Sequence, residues 1–326
     1  MNIQQIMRFM LIALLCNCAG KTSHQTKAWL EKDELTVVVT DSGLGGISVV
    51  AELEKRFTEN RHFKKVHLVF FNALFSATGG YNSLTSRDEK ISYFDKALFS
   101  MNRLYQPDHI LVACNTLSVL LPETRFARQK NTPTHSIIDP GVELLKEVLS
   151  QSETSKVYLF ATQTTVEENS HRAAIEQLGL DPGRIVTQEC PELADSIERG
   201  FHSEDTELLI MTFVDEALTA SDPAKSEVYI SLNCSHYPFA RPLWQNSFRE
   251  YDIQPKAVLN PNLAMTQALM QPIALDRFPE TEVRVSVVSM VEIPDAKRKS
   301  IAKAVENMSR PTANALLNYE HKQGLF

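Results

Sequence analysis

Two cysteines, Cys114 and Cys234, each close an apolar, β-branched run and are each followed by small polar residues, in ILVACNTLSV (110–119) and VYISLNCSHY (228–237). A thiol held out at a strand end can act as an acid and, once ionised, as a base or nucleophile. Asn115 and Thr116 follow the first cysteine at the expected start of a helix, whose dipole would lower the thiol pKa and favour a bound carboxylate. Ser235 and His236 follow the second, and His236 is a base able to assist that thiol. A Cys-x-His pair is also half of a zinc site, but no second closely spaced Cys/His pair accompanies it, so no metal is expected. The competing reading of either cysteine is a small core residue, since free cysteine is among the most buried residue types.

A third motif, VVVTDSGLGGISVV, places Asp41 and Ser42 after an apolar run and before three glycines and a helix from Ile47. Its glycine spacing is not that of a dinucleotide fingerprint, and it lacks the Gly-Lys-Ser/Thr of a P-loop. What remains is an anion-receptive helix start carrying a carboxylate and a hydroxyl, or simply a capped turn.

Short Val, Ile, Leu and Phe runs bounded by turn residues predict strands over 35–40, 66–71, 109–113, 135–138, 156–160, 227–232, 256–259 and 282–288. Helical spacing of apolar residues predicts helices over 87–105, 141–150, 165–178 and 206–219, the first started by Ser86 or Asp88 and the second opened by Asp139-Pro140. Alternation of strands with helices indicates an α/β fold with mainly parallel sheets covered on both faces. Ligands of such sheets sit beyond the carboxyl ends of the strands, where both cysteine motifs and TDSGLGG fall.

The chain of 326 residues, 43% hydrophobic, is long enough for two domains, and its net charge of −7 argues against a nucleic-acid partner. Its first 20 residues combine Arg8 with the apolar run Phe9 to Cys16, too short to span a bilayer and patterned like a secretory signal. Leu15-Cys16-Asn17-Cys18 also resembles a lipoprotein cleavage box, with Cys18 the residue that would carry lipid. The expected address is the cell envelope, through a membrane anchor, with a cytoplasmic protein bearing an amphiphilic start as the alternative. Residues 21–32 read as a polar linker. Of five cysteines, Cys114, Cys190 and Cys234 lie beyond the signal, and an odd number is a poor disulfide framework. Cys190 reads as structural, and His171 and His202, in polar surroundings, read as surface residues.

Six motifs carry a resemblance to the aspartate/glutamate racemase family, closest to its glutamate racemase branch: TDSGLGGISV, ACNT, IIDPGV, ATQTT, CPELADSIERG and NCSHYPFARPL, in the family's order between about 35 and 270. The resemblance implies two similar α/β domains with the active site in the cleft between them, the first from 33–131 plus 253–326 and the second from 132–252. It implies an amino acid as small-molecule partner, with a homodimer left open, and no metal, nucleotide or pyridoxal cofactor. Cys114 and Cys234 would be opposed acid/base groups that invert Cα. Asp41 would tune Cys114, His236 and Glu198 would serve Cys234, and Ser42, Asn115, Thr116 and Ser235 would hold the substrate's carboxylate and ammonium.

Several positions depart from the family pattern. Where glutamate racemases carry Asp-x-Ala-Arg-x-Pro-Tyr-Gly, this chain reads NALFSATGGYNSL (72–84), and Asn233 and Thr164 replace family glycines. The acid/base groups are kept while substrate-binding elements change, which leaves the amino acid itself open, aspartate included. That branch supplies D-glutamate for peptidoglycan from the cytoplasm, in conflict with an exported chain. Two alternatives therefore stand beside an envelope racemase: an exported amino-acid-binding lipoprotein without turnover, and a related racemase or lyase acting on another carboxylate.

Overall fold

The computed structural model describes residues 28–221, 223 and 225–326. The signal segment and Cys18 lie outside the described residues. Two all-parallel sheets organise the described residues. The first contains β1 (Glu34–Asp41), β2 (Lys65–Asn72), β3 (His109–Val112), β4 (Thr134–Ser136), β9 (Glu282–Ser289) and β10 (Glu320–His321), in the order β10-β9-β2-β1-β3-β4. The second contains β5 (Ser155–Ala161), β6 (Ile185–Glu189), β7 (Glu227–Asn233) and β8 (Ala257–Leu259), in the order β6-β5-β7-β8.

Strand composition follows from this arrangement. In β1, Val37 and Val39 enter the core on one face of the sheet with Leu68 and Phe70, while Val38 enters the core on the other with Val69, Phe71 and Ile110. A strand covered on both faces has no polar side, so it reads as a continuous Val run rather than an alternation. The second sheet repeats the pattern, with Tyr158 and Phe160 facing Trp244 and Phe248, and Val157 and Leu159 facing Leu145 and Ile175.

In both sheets the strand order reverses beside the first strand. The chain goes from β1 to β2 on one side and returns to β3 on the other; it goes from β5 to β6 and returns to β7. Connections leave in opposite directions at such a point, and a crevice opens at the carboxyl ends of the two central strands. Asp41 ends β1, and Cys114 lies two residues beyond β3; Cys234 directly follows β7. Each duplicated thiol therefore stands at the switch point of its own sheet.

The helices that matter for this placement are α1 (Ile47–Asn60), α2 (Arg87–Tyr105), α3 (Asn115–Ser118), α4 (Ile138–Gln151), α5 (Ser170–Gln177), α6 (Leu193–Gly200), α7 (Glu204–Ala220), α8 (Arg241–Arg249), α9 (Pro261–Met270) and α10 (Asp295–Val305). Ser86 caps α2 by accepting from the Glu89 N–H, which satisfies one of the donors a helix start leaves open. No described helix is long and apolar enough to cross a membrane.

Several expectations need correction. The strand expected over 135–138 ends at Ser136, because Ile138 already begins α4. The helix expected over 165–178 is two pieces, interrupted at Asn169, whose φ of 51° cannot continue a right-handed helix. β4 belongs to the first sheet and β8 to the second, so the chain passes between the sheets after Ser136 and again after Leu259. Ala28–Glu31, expected within a polar linker, forms a 3-10 turn, and its Trp29 packs edge-on against His109 with ring centroids 4.5 Å apart. The strands β6 and β10 were not expected: IVTQE is half polar and EH is only two residues long.

Candidate active site

A cavity of about 410 Å³ lies where the carboxyl ends of the two sheets face each other. Every residue singled out for chemistry or binding lines it: Asp41, Ser42, Cys114, Asn115 and Thr116 from the first sheet's side, and Glu198, Cys234, Ser235 and His236 from the second. The three described cysteines are free and buried. Cys190 is packed in the core beneath α6 and does not line the cavity. Among the described residues no group of three or more His, Cys, Asp or Glu side chains is arranged to hold a metal ion.

The two thiols have unlike surroundings. The Cys114 sulfur lies 3.1 Å from the Ser42 hydroxyl. Burial pushes this thiol well up, the Asp41 charge adds to the rise, and the Ser42 contact opposes it. The expected lowering by a helix dipole does not prevail, because α3 is a single turn while the thiol is almost fully removed from water. The Asp41 carboxyl is itself raised by burial. Ser235 and the Ser42 backbone lie close enough to oppose that rise, but neither Asp41 oxygen, and neither polar atom of the Asn115 side chain, completes a hydrogen bond among the described residues. A buried carboxylate and amide left open at the cavity wall are suited to a ligand's ammonium and carboxylate.

At the second thiol, the Cys234 sulfur lies 3.6 Å from His236 Nδ1, and His236 Nε2 lies 2.8 Å from Glu198 Oε1. Burial alone would lower the His236 pKa, but its contacts with Cys234 and Glu198 carry it well above the ordinary imidazole value. His236, expected as a base able to assist that thiol, is thus favoured in its cationic form beside the sulfur. Glu198 is the reverse case: burial would raise it, yet His236 and Lys297 bring it down to about 2.

The glycines of TDSGLGG serve this apposition. None of the three has a positive φ, so no left-handed turn requires them. A Cβ at Gly45 would stand 2.7 Å from the His236 backbone nitrogen, and one at Gly43 would stand 2.8 Å from Glu198 Oε1. The turn after β1 thus packs directly on the Cys234 turn of the other domain, an approach only glycine permits.

The departures from the family pattern find partners. Leu74, Ser76, Ala77, Thr78, Gly79, Gly80, Tyr81 and Asn82, from the altered segment, form one wall of the cavity. Thr164 donates to Asn82 Oδ1 at 2.7 Å and accepts from Lys90 at 3.0 Å. Asn233 meets His171 Nε2 at 2.8 Å and accepts from Ser231. His171 is buried, not exposed as expected; burial lowers its pKa to about 4, so the neutral ring accepts from the Asn233 amide. Sequence reasoning missed Thr162, whose hydroxyl lies 2.8 Å from that of Thr116, and Asn262, which donates to the Ser235 carbonyl at 2.9 Å. It also missed Lys297, 99 residues from its partner Glu198.

No family model matches the chain. Over 217 residues it is 28% identical to a glutamate racemase of Lactiplantibacillus plantarum, covering 66% of this chain and 71% of the relative. The crystal structure of glutamate racemase from Francisella tularensis in complex with D-glutamate superposes with a TM-score of 0.60 at 20% identity, over 89% of this chain and 96% of that one. That of Escherichia coli glutamate racemase in complex with L-glutamate and the activator UDP-MurNAc-ala gives 0.56 at 19% identity, over 85% and 96%. The structural likenesses establish the two-domain α/β fold. In sequence and in fold, the chain is similar to the glutamate racemases.

Proposed function

We propose that the protein is a cofactor-independent amino-acid racemase that inverts Cα with Cys114 and Cys234. The observation that carries this reading is the placement of two free thiols at the switch points of two separate sheets, lining one cavity from different domains. Removing a weakly acidic α-proton from one face and returning one to the other requires two acid/base groups. One sulfur, as thiolate, takes the α-proton; the other, as thiol, donates its proton to the opposite face of the carbanion. After one turnover the charge has moved from one sulfur to the other, and the antipode is processed with the roles exchanged.

The surroundings divide the work. The His236 imidazolium is placed to stabilise negative charge on the Cys234 sulfur, and Glu198 fixes the ring. Ser42 does the same for Cys114 by hydrogen bonding, while Asp41 keeps that thiol protonated until an ammonium arrives to offset its charge. Asp41 and Asn115 receive the ammonium and carboxylate, with Thr116 and Ser235 beside them. A closed site makes each of these contacts stronger than it would be in water. Similarity to enzymes solved with D- and with L-glutamate supports glutamate as the first substrate to test. The rebuilt wall at 74–82 favours a second reading on the same chemistry, in which another acidic amino acid such as aspartate is preferred.

Incubation with single L-amino acids in D₂O under reducing conditions, following Cα-proton loss and optical rotation, tests the activity. No exchange with any common amino acid would reject a racemase in favour of a binding protein. The reading of the N-terminus is carried by sequence alone: an envelope protein anchored through Cys18 incorporates labelled palmitate, and Cys18→Ala abolishes the label. An uncleaved cytosolic product returns the protein to the cytoplasm.

A further inference from the structure

Glu198 is held from three directions. Its Oε1 accepts from the Leu44 N–H at 2.7 Å and faces His236 Nε2 at 2.8 Å; its Oε2 accepts from Lys297 at 3.0 Å. Leu44 and Lys297 belong to the first domain, whereas Glu198 and His236 belong to the second. Lys297 sits in the first turn of α10, which packs against α6, and its ammonium also pairs with Asp195. Among the described residues lining the cavity it carries the one lysine or arginine charge.

The titratable and charged groups around Cys234 are few. His236 and Tyr237 lie on its own turn, Cys190 follows β6, and Asp195, Glu198 and Arg199 come from α6. Asp41 and Lys297 approach from the first domain. Arg199 is turned outward onto Asp195, with both side chains about half exposed, so its charge is largely screened. Lys297, at 22% exposure, is the nearer permanent cation to a carboxylate at 10%.

We propose that Lys297 is a positioning residue: from the first domain it holds Glu198 against His236, and so sets how readily Cys234 gives and takes a proton. Withdrawing the ammonium leaves the buried carboxylate with one donor fewer and removes a positive charge from the Cys234–His236–Glu198 chain. Both changes make a proton harder to remove from that chain. The second thiol's acid/base set is then complete only when the first domain is closed onto it. Cys114 takes its direct partners, Ser42 and Asp41, from its own domain.

The kinetic consequence rests on the racemase reading, but the effect on sulfur can be read without turnover. Iodoacetamide alkylation of the full chain, followed against pH by mass spectrometry of the separate cysteine peptides, gives a profile for each thiol. Lys297→Met is expected to displace the Cys234 profile towards slower alkylation, about tenfold below that of the unaltered protein at one pH, leave that of Cys114 in place, and lose the displacement in Lys297→Arg. In turnover, Lys297→Met should lower kcat/KM about tenfold, equally in both directions because a racemisation has an equilibrium constant of one, with the fall carried mainly by kcat. A Cys234 profile in Lys297→Met that superimposes on that of the unaltered protein overturns the proposal, whether or not any amino acid is racemised. Equal displacement of both thiol profiles together with a lowered melting temperature overturns it too, since Lys297 would then merely join the domains. Absence of exchange in the unaltered protein with the Cys234 shift intact refutes the racemase reading alone.

Discussion

The Thr164 hydroxyl donates to Asn82 Oδ1 at 2.7 Å, which ties the rebuilt cavity wall of the first domain to the turn after β5 in the second. Both residues stand where the racemase pattern has something else, so the two departures form one contact. A neutral hydrogen bond of this kind contributes about 1 kcal/mol. Asn82→Ala should therefore raise KM about fivefold while leaving kcat within about twofold. Steady-state kinetics on a panel of acidic amino acids reads this, and an unchanged KM for all of them would remove the wall from substrate binding.

Cys114→Ser and Cys234→Ser should each lower racemisation by at least about a thousandfold, measured as loss of optical rotation. Cys190→Ser, a change in the core away from the cavity, should stay within about threefold of the unaltered enzyme. Full activity in either of the first two variants would end the two-thiol mechanism.

Glu198 makes stability depend on acid. Its folded pKa of about 2 lies below the ordinary value near 4.5, so its contribution is present above pH 4.5 and is lost as pH falls towards 2. The shift corresponds to a contribution on the order of 3 kcal/mol. In urea unfolding between about pH 2 and 5, the stability difference between the unaltered protein and Glu198→Gln should shrink steadily as pH falls. A difference independent of pH across that window would show that Glu198 is not held ionised.

Gly45→Ala places a Cβ within 3 Å of the His236 backbone, where no flexible side chain can yield. Each domain can still fold, but the turn after β1 can no longer rest on the Cys234 turn. We expect a loss of at least about a hundredfold in kcat/KM with a circular dichroism spectrum like that of the parent. Retained activity would show that the two turns need not touch.

Much of this site was legible because strands buried on both faces write themselves as Val and Ile runs, and their ends mark where a parallel sheet binds. The cysteine, aspartate and histidine positions drew notice for that reason, and the six-motif resemblance implied their roles. What escaped has a common cause. Lys297, Asn262 and the Asn82–Thr164 pair act through contacts between residues 27 to 99 positions apart, on elements whose periodicity reports only their own buried face. His171 was misplaced for the same reason: SHRAAIEQ shows a polar helix start, and nothing local reveals that Asn233 waits to cover the ring. The thiol environment of Cys114 was inverted because the length of α3, one turn, decides whether a dipole can outweigh burial.

The placement of β9 beside β2 also governs how the molecule can be made. Asn72, at the end of β2, bonds to Ser289, at the end of β9, across 217 residues that include the whole second sheet. A growing chain therefore completes β5 to β8 while β2 still presents an open, apolar edge. Synthesis at roughly 5–20 residues per second leaves that edge unpaired for at least about ten seconds. The first domain is thus the last to finish, and a chain halted before residue 282 would carry an assembled second domain beside a sheet ready to pair with a neighbour.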